Sequence, residues 1–137
     1  MKKVLVLCTG NSCRSQIAEG YLRKYAGDKA IVYSAGVETH GVNPKAVQVM
    51  KEDGVDISQH TSNNILEYKD VNFDLVLTVC DNAKERCPVL PSKAKKLHYN
   101  FPDPAKATGS EEEIMNEFRR VRDMIKIYCI EVAEMEI

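Results

Sequence analysis

Apolar and polar positions along this chain fall into blocks that predict strands and helices in turn. Val4-Leu5-Val6-Leu7 is a continuous apolar run, the pattern of a strand covered on both faces of a parallel sheet. It ends at Cys8, and a polar turn with Gly10 and Asn11 leads into a helix from about Ser15 to Ala26. There Ile17, Ala18, Tyr21, Leu22, Tyr25 and Ala26 share one face, and Gly27 supplies the stop. Ala30 to Ser34 predicts a second strand. Asn43 is placed to cap a helix with Pro44 in its first turn and Gly54 past its end.

Phe73 to Val79 is another apolar strand, stopped by the polar segment from Cys80 to Arg86. Lys96 to Asn100 is a weaker one, in which Leu97 and Tyr99 alternate with their neighbours. Ser110 and Glu113 have the spacing of a capping box. The helix they open carries the stripe Ile114, Phe118, Val121, Ile125, Tyr128, Cys129 and Val132. Strands alternating with helices predict a single α/β domain over residues 1–137, a mostly parallel twisted sheet flanked by helices.

Composition narrows the function. The 137 residues are 44% hydrophobic and 28% charged, which describes a globular protein able to bury its own core. Lys+Arg 19 against Asp+Glu 20 gives a net charge of -1, which argues against a sequence-independent grip on nucleic acid or on an anionic membrane. Lys93, Lys95 and Lys96 form a basic run that reads as a solvated edge. The apolar part after Met1-Lys2-Lys3 is too short for a secretory signal, and no apolar run is long enough to span a bilayer. A cytoplasmic, reducing location is expected, where a permanent disulfide framework is not. The five cysteines are then left for metal binding or chemistry.

Ligands of such sheets bind beyond the carboxyl ends of the strands. The segment leaving the first strand is Cys8-Thr9-Gly10-Asn11-Ser12-Cys13-Arg14-Ser15. Its small, turn-forming residues let backbone N–H groups converge on one point, and the following helix adds its positive end there. Arg14 offers a planar fork of donors suited to a tetrahedral oxyanion. Cys8 sits at the base of the same cradle. A free thiol, with a pKa of about 8.5, is only a few per cent thiolate at neutral pH. The field that holds an anion also favours the thiolate that would attack it.

Cys8-x5-Arg14-Ser15, with Gly10-Asn11 inside, resembles the phosphate loop of the low-molecular-weight tyrosine phosphatase fold. The longer strings CTGNSCRSQIAEG, YSAGVETHGVNPKA and DISQHTS more closely resemble the thioredoxin-coupled arsenate reductases built on that fold. The likeness runs from Lys3 through the last helix.

Hydrolysing a phosphate ester needs no further thiol, whereas reducing arsenate to arsenite needs two electrons, which a dithiol supplies by becoming a disulfide. Cys80 and Cys87 are available. Cys80 lies at the carboxyl end of its strand and reaches Cys8 if the two strands are neighbours. Seven positions of helix rise about 10.5 Å, whereas disulfide Cα separations stay below about 6.8 Å. A Cys80–Cys87 bond therefore requires local unwinding, to which Asp81, Asn82 and Pro88 predispose the segment. By spacing alone, two unrelated cysteines fit equally well. Structural zinc fits poorly, since only His40, His60 and His98 are available to help. Cys13 and Cys129 read as packing.

The loop Asn100-Phe101-Pro102-Asp103-Pro104-Ala105 follows the last strand, and its prolines restrain Asp103. By resemblance, Asp103 matches the family's general acid. Phosphatases of the fold usually follow that Asp-Pro with Tyr; Ala105 stands here, which favours a small inorganic oxyanion over a phenyl ester. Ser15 and Asn11 would support the Cys8 thiolate and the loop.

The resemblance implies attack by Cys8 on arsenate, a Cys8–Cys80 disulfide, and then a Cys80–Cys87 disulfide reduced by thioredoxin. The implied substrate-binding residues are Thr9, Gly10, Asn11, Ser12, Cys13 and Arg14; the catalytic ones are Cys8, Arg14, Ser15, Cys80, Cys87 and Asp103. No tightly bound cofactor is implied. Some relatives hold potassium at residues matching Asn11, Glu19 and Ser34, but their Asp is Asn63 here. The partners implied are arsenate or a phosphate-like oxyanion and thioredoxin, on a monomeric chain. The rival expectation is a phosphatase using Cys8, Arg14 and Asp103 alone. A phosphocysteine carrier and an arsenite-binding module are more distant alternatives.

Overall fold

The computed structural model describes residues 1–86 and 93–137. Its first strand, β1 (Lys2–Cys8), runs through the middle of the molecule, with Val4, Leu5, Val6 and Leu7 wholly shielded from solvent. Helix α1 (Arg14–Ala26) follows, then β2 (Ala30–Gly36), α2 (Pro44–Glu52), β3 (Leu75–Thr78), α3 (Asp81–Arg86), β4 (Lys95–His98) and α4 (Glu111–Met135). The sheet is wholly parallel, in the order β2-β1-β3-β4.

That order fixes the place of the site. From β1 the chain moves outward to β2, then crosses back to β3 on the other side. The crevice at the carboxyl ends of the strands flanking such a reversal is where parallel sheets bind ligands. Leu7 is in register with Thr78, and the Val79 N–H donates to the Leu7 carbonyl at 2.9 Å. Cys8 and Cys80 therefore leave adjacent strands at one edge. The neighbouring strands on which Cys80's reach depended are present.

The helix ends form as their local chemistry dictates. Asn43 accepts from the Lys45 N–H ahead of Pro44, and Ser110 and Glu113 form the reciprocal capping box of α4. On α4, Phe118, Val121, Ile125, Cys129 and Val132 are buried, joined by Met115; Ile114 and Tyr128 are only partly covered. Each such large side chain contributes about 1.5–3 kcal/mol by leaving water.

Five elements depart from the apolar pattern. Helix α1 is buried far beyond its predicted face, because Ser15, Gln16, Glu19 and Gly20 are covered too. It lies between the sheet, α2 and α4, so its polar side is internal and must be hydrogen-bonded. Strand β2 continues past Ser34 to Gly36, while β3 is shorter than the Phe73–Val79 run. Phe73 leaves the ladder but packs edge-on against Tyr33 and Tyr68. Strand β4 starts at Lys95 and stops at His98, and the polar stretch after Cys80 forms the short helix α3.

Candidate active site

The loop between β1 and α1 closes into a cradle because its carbonyls are bound on the outside. The Glu38 N–H donates to the Thr9 carbonyl at 2.9 Å, His40 N–H to Gly10 at 3.0 Å, and Asn43 N–H to Ser12 at 3.0 Å. Gln16 Nε2 donates to the Asn11 carbonyl at 3.1 Å, and Ile17 N–H to that of Cys13 at 2.9 Å. A trans peptide points its N–H opposite its carbonyl. With the carbonyls from Thr9 to Cys13 turned outward, the N–H groups of those peptides line the inside.

Asn11 is the keystone of this loop. It adopts φ 48°, in the left-handed region that Asn tolerates better than most residues. Its Nδ2 donates to Ser15 Oγ at 2.8 Å and Ser34 Oγ at 3.0 Å, and its Oδ1 accepts from the Asn63 N–H at 2.7 Å. Gly36 lets β2 approach: a Cβ there would lie 2.7 Å from both the Asn11 nitrogen and the Thr9 carbonyl oxygen. At Gly10 a Cβ would meet the His40 ring at 2.5 Å.

Inside lies a cavity of about 530 Å³ lined by Cys8, Cys13, Arg14, Cys80, Phe101 and Asp103, among others. Arg14 Nη1 donates to the Phe101 carbonyl at 2.9 Å, and Nη2 lies 3.7 Å from Asp103 Oδ2. Its Nε is buried with no hydrogen-bond partner among the described residues. An unsatisfied buried donor costs about 1–3 kcal/mol, which an anion oxygen at that point would offset. Asp103 Oδ1 caps the turn after it by accepting from the Ala105 N–H at 3.0 Å.

Cys8 and Cys80 are both buried, and their sulfurs share a hydrogen bond. Thr9 Oγ1 lies 3.3 Å from Cys80 Sγ, and the Ala83 N–H donates to that sulfur at 3.4 Å. The hydrogen bond from Cys8 pulls Cys80 down to about 5, against burial and with help from Thr9, Ala83 and Arg14. The same bond, with burial, raises Cys8, opposed by Arg14 and the Ser15 N–H. The pair thus holds one proton and one negative charge between two sulfurs. Cys13 is pushed up to about 12, chiefly by burial, and burial also raises Cys129, whose sulfur lies 3.7 Å from the Ala18 carbonyl oxygen. Both are quiet thiols.

The residues matching the potassium site of some relatives do not fit an ion here. Glu19 Oε2 accepts from Arg23 Nε at 2.8 Å, and Oε1 accepts from the Ser34 hydroxyl. Asn11 Oδ1 accepts from the Asn63 N–H and Ser34 Oγ from Asn11 Nδ2, so each of these oxygens already meets a donor, and a guanidinium neutralises the carboxylate.

Among the candidate residues, Cys8, Thr9, Gly10, Ser12, Cys13, Arg14, Cys80 and Asp103 line one cavity; Asn11 and Ser15 support it from behind. Cys87 lies outside the described residues. Glu38, His40, Ser62 and Asn63 each bind the loop, a role the sequence reading gave to none of them. His40 and Asn63 entered it through zinc and potassium, and Glu38 and Ser62 only inside the strings YSAGVETHGVNPKA and DISQHTS.

A thiol–thiolate pair beneath a guanidinium and a ring of N–H groups is machinery for attacking tetrahedral oxyanions through sulfur. The chain belongs to the low molecular weight phosphotyrosine protein phosphatase family, whose model matches residues 3–136. Within it, the chain is 55% identical to an arsenate reductase of Halalkalibacterium halodurans over 124 residues, covering 90% of this chain and 89% of the relative. It is 52% identical to the arsenate reductase of Bacillus subtilis over 133 residues, 97% and 96% of the two chains. A solved arsenate reductase in its phosphate-binding state superposes with a TM-score of 0.79 at 31% identity, covering 98% of each chain.

Proposed function

We propose that this chain reduces arsenate to arsenite with its own thiols and is recycled by thioredoxin. The observation that carries the reading is the Cys80 sulfur hydrogen-bonded to Cys8 inside the anion cavity. Ester hydrolysis has no use for that second thiol. Relatives at 52–55% identity named arsenate reductase support it.

Arsenate enters the cradle with its oxygens on the loop N–H groups and Arg14, whose unpaired Nε gains an acceptor. Cys8 passes its proton across the shared hydrogen bond to the Cys80 thiolate and, now the thiolate itself, attacks arsenic; Asp103 donates a proton to the departing oxygen, which leaves as water. Asp103 stands beside Arg14 at the cavity wall, within reach of an oxygen bound there. Cys80 then attacks the Cys8 sulfur. An S–S bond forms, the S–As bond breaks, and its electron pair passes to arsenic, which leaves as arsenite. Cys87 attacks Cys80 and frees Cys8, and thioredoxin reduces the Cys80–Cys87 disulfide by thiol exchange. Thr9 and the Ala83 N–H serve Cys80 as the Ser15 N–H serves Cys8, so the charge has support on either sulfur.

The test is arsenate-dependent NADPH oxidation with thioredoxin and thioredoxin reductase. Turnover that disappears when thioredoxin is left out supports the reading. Hydrolysis of phosphate esters without any arsenate reduction refutes it.

A further inference from the structure

Cys80 sits on a joint between two regular elements, since β3 ends at Thr78 and α3 begins at Asp81. A single ring spans that joint. His98, the last residue of β4, is in register with Thr78. Its Nδ1 lies 2.7 Å from Thr78 Oγ1, and its Nε2 lies 2.6 Å from Asp81 Oδ1. The Asp81 N–H also donates to Asn100 Oδ1 at 3.1 Å, so a second β4-side group holds the same residue.

The partners dictate the ring's hydrogens. A carboxylate only accepts, so Nε2 carries a hydrogen and donates to Asp81. In the neutral ring, Nδ1 accepts from the Thr78 hydroxyl. In the charged ring, Nδ1 donates to Thr78 Oγ1, whose own hydrogen has the Leu97 carbonyl 3.5 Å away. The bridge survives either way. His98 itself does not line the anion cavity, whereas Asp81 and Asn100 do.

We infer that His98 is a positioning residue for Cys80: by tying Thr78 and Asp81 together across the joint, it aims the Cys80 sulfur at Cys8. This rests on the reading that Cys80 attacks Cys8. Exchange at sulfur needs the incoming sulfur in line with the bond that breaks, so an error of about 1 Å in a reacting atom slows such a step by up to a hundredfold. The binding of the oxyanion, made by the loop and Arg14, does not pass through His98.

The test compares the full chain carrying Cys87→Ser alone, to stop onward transfer, with His98→Ala and His98→Gln on that background. Formation of the Cys8–Cys80 disulfide is timed by rapid quench and peptide mass spectrometry in two arms. One arm uses arsenate. The other uses diamide, which accepts the two electrons and two protons of the dithiol without any arsenic chemistry. Affinity for inorganic phosphate is measured by its protection of Cys8 against alkylation. His98→Ala should slow disulfide formation about tenfold or more in the diamide arm, with phosphate affinity unchanged. Gln, whose amide still donates to Asp81, should recover most of the rate. Disulfide formation at the unmodified rate in His98→Ala overturns the inference. So does a loss of rate and phosphate affinity together that Gln does not rescue. A background chain that closes the disulfide with diamide but not with arsenate refutes the arsenate reading instead, and the diamide arm still decides the role of His98.

Discussion

The Cys8 thiol donates a hydrogen bond to the Cys80 sulfur at the carboxyl ends of two adjacent parallel strands. The two thiols consequently titrate as one unit, and their first proton is lost well below the range of a free cysteine. Removing the donor with Cys8→Ala should raise the Cys80 pKa from about 5. Ultraviolet absorbance of the thiolate, followed against pH, checks this. An unchanged titration would mean that Thr9, Ala83 and Arg14 hold the charge without Cys8.

The two glycines around the loop should respond differently to the same added methyl group. At Gly36 the Cβ meets backbone atoms of Glu38, Asn11 and Thr9, which cannot swing aside. Gly36→Ala should cost about 2–3 kcal/mol in chemical denaturation and weaken phosphate binding. At Gly10 the obstacle is the largely exposed His40 side chain, which can rotate away. Gly10→Ala should cost less than about 1 kcal/mol.

Arg14 works as a fork, with Nη1 held by the Phe101 carbonyl and Nε left for the ligand. Lysine keeps the charge but loses this geometry. Arg14→Lys should lower kcat/KM for arsenate by about a hundredfold, roughly 2.7 kcal/mol of transition-state stabilisation. Steady-state kinetics in the coupled assay read this directly.

The Arg23–Glu19 ion pair makes a statement about salts. A guanidinium meets the carboxylate that would otherwise attract a monovalent cation. Replacing sodium chloride by potassium chloride at equal ionic strength should leave both activity and the melting temperature unchanged. A potassium-specific rise in either would show that Arg23 yields the site.

What could be read from the sequence was local in the chain. The Cys8-to-Arg14 loop, the Asn43 cap and the Ser110–Glu113 box each involve residues a few positions apart, so their geometry follows from spacing. The support of the loop does not. Asn63 reaches Asn11 across 52 positions, and His98 reaches Asp81 across 17. Neither pairing leaves a periodic trace. Helix α1 misled for a related reason: an amphipathic stripe marks the apolar face, and says nothing of Gln16 and Glu19 being buried on the other side by hydrogen bonding. The strand ends shifted because apolar runs record burial rather than ladder pairing, as Phe73 illustrates.

The central claim is that this chain's own dithiol reduces arsenate. The most direct measurement is a single turnover of the fully reduced chain with arsenate and no external reductant, following arsenite release and free thiols together. The account predicts one arsenite released per chain with the loss of two thiols, and no arsenite release from Cys80→Ser. Arsenite released by Cys80→Ser at the rate of the unmodified chain would contradict it.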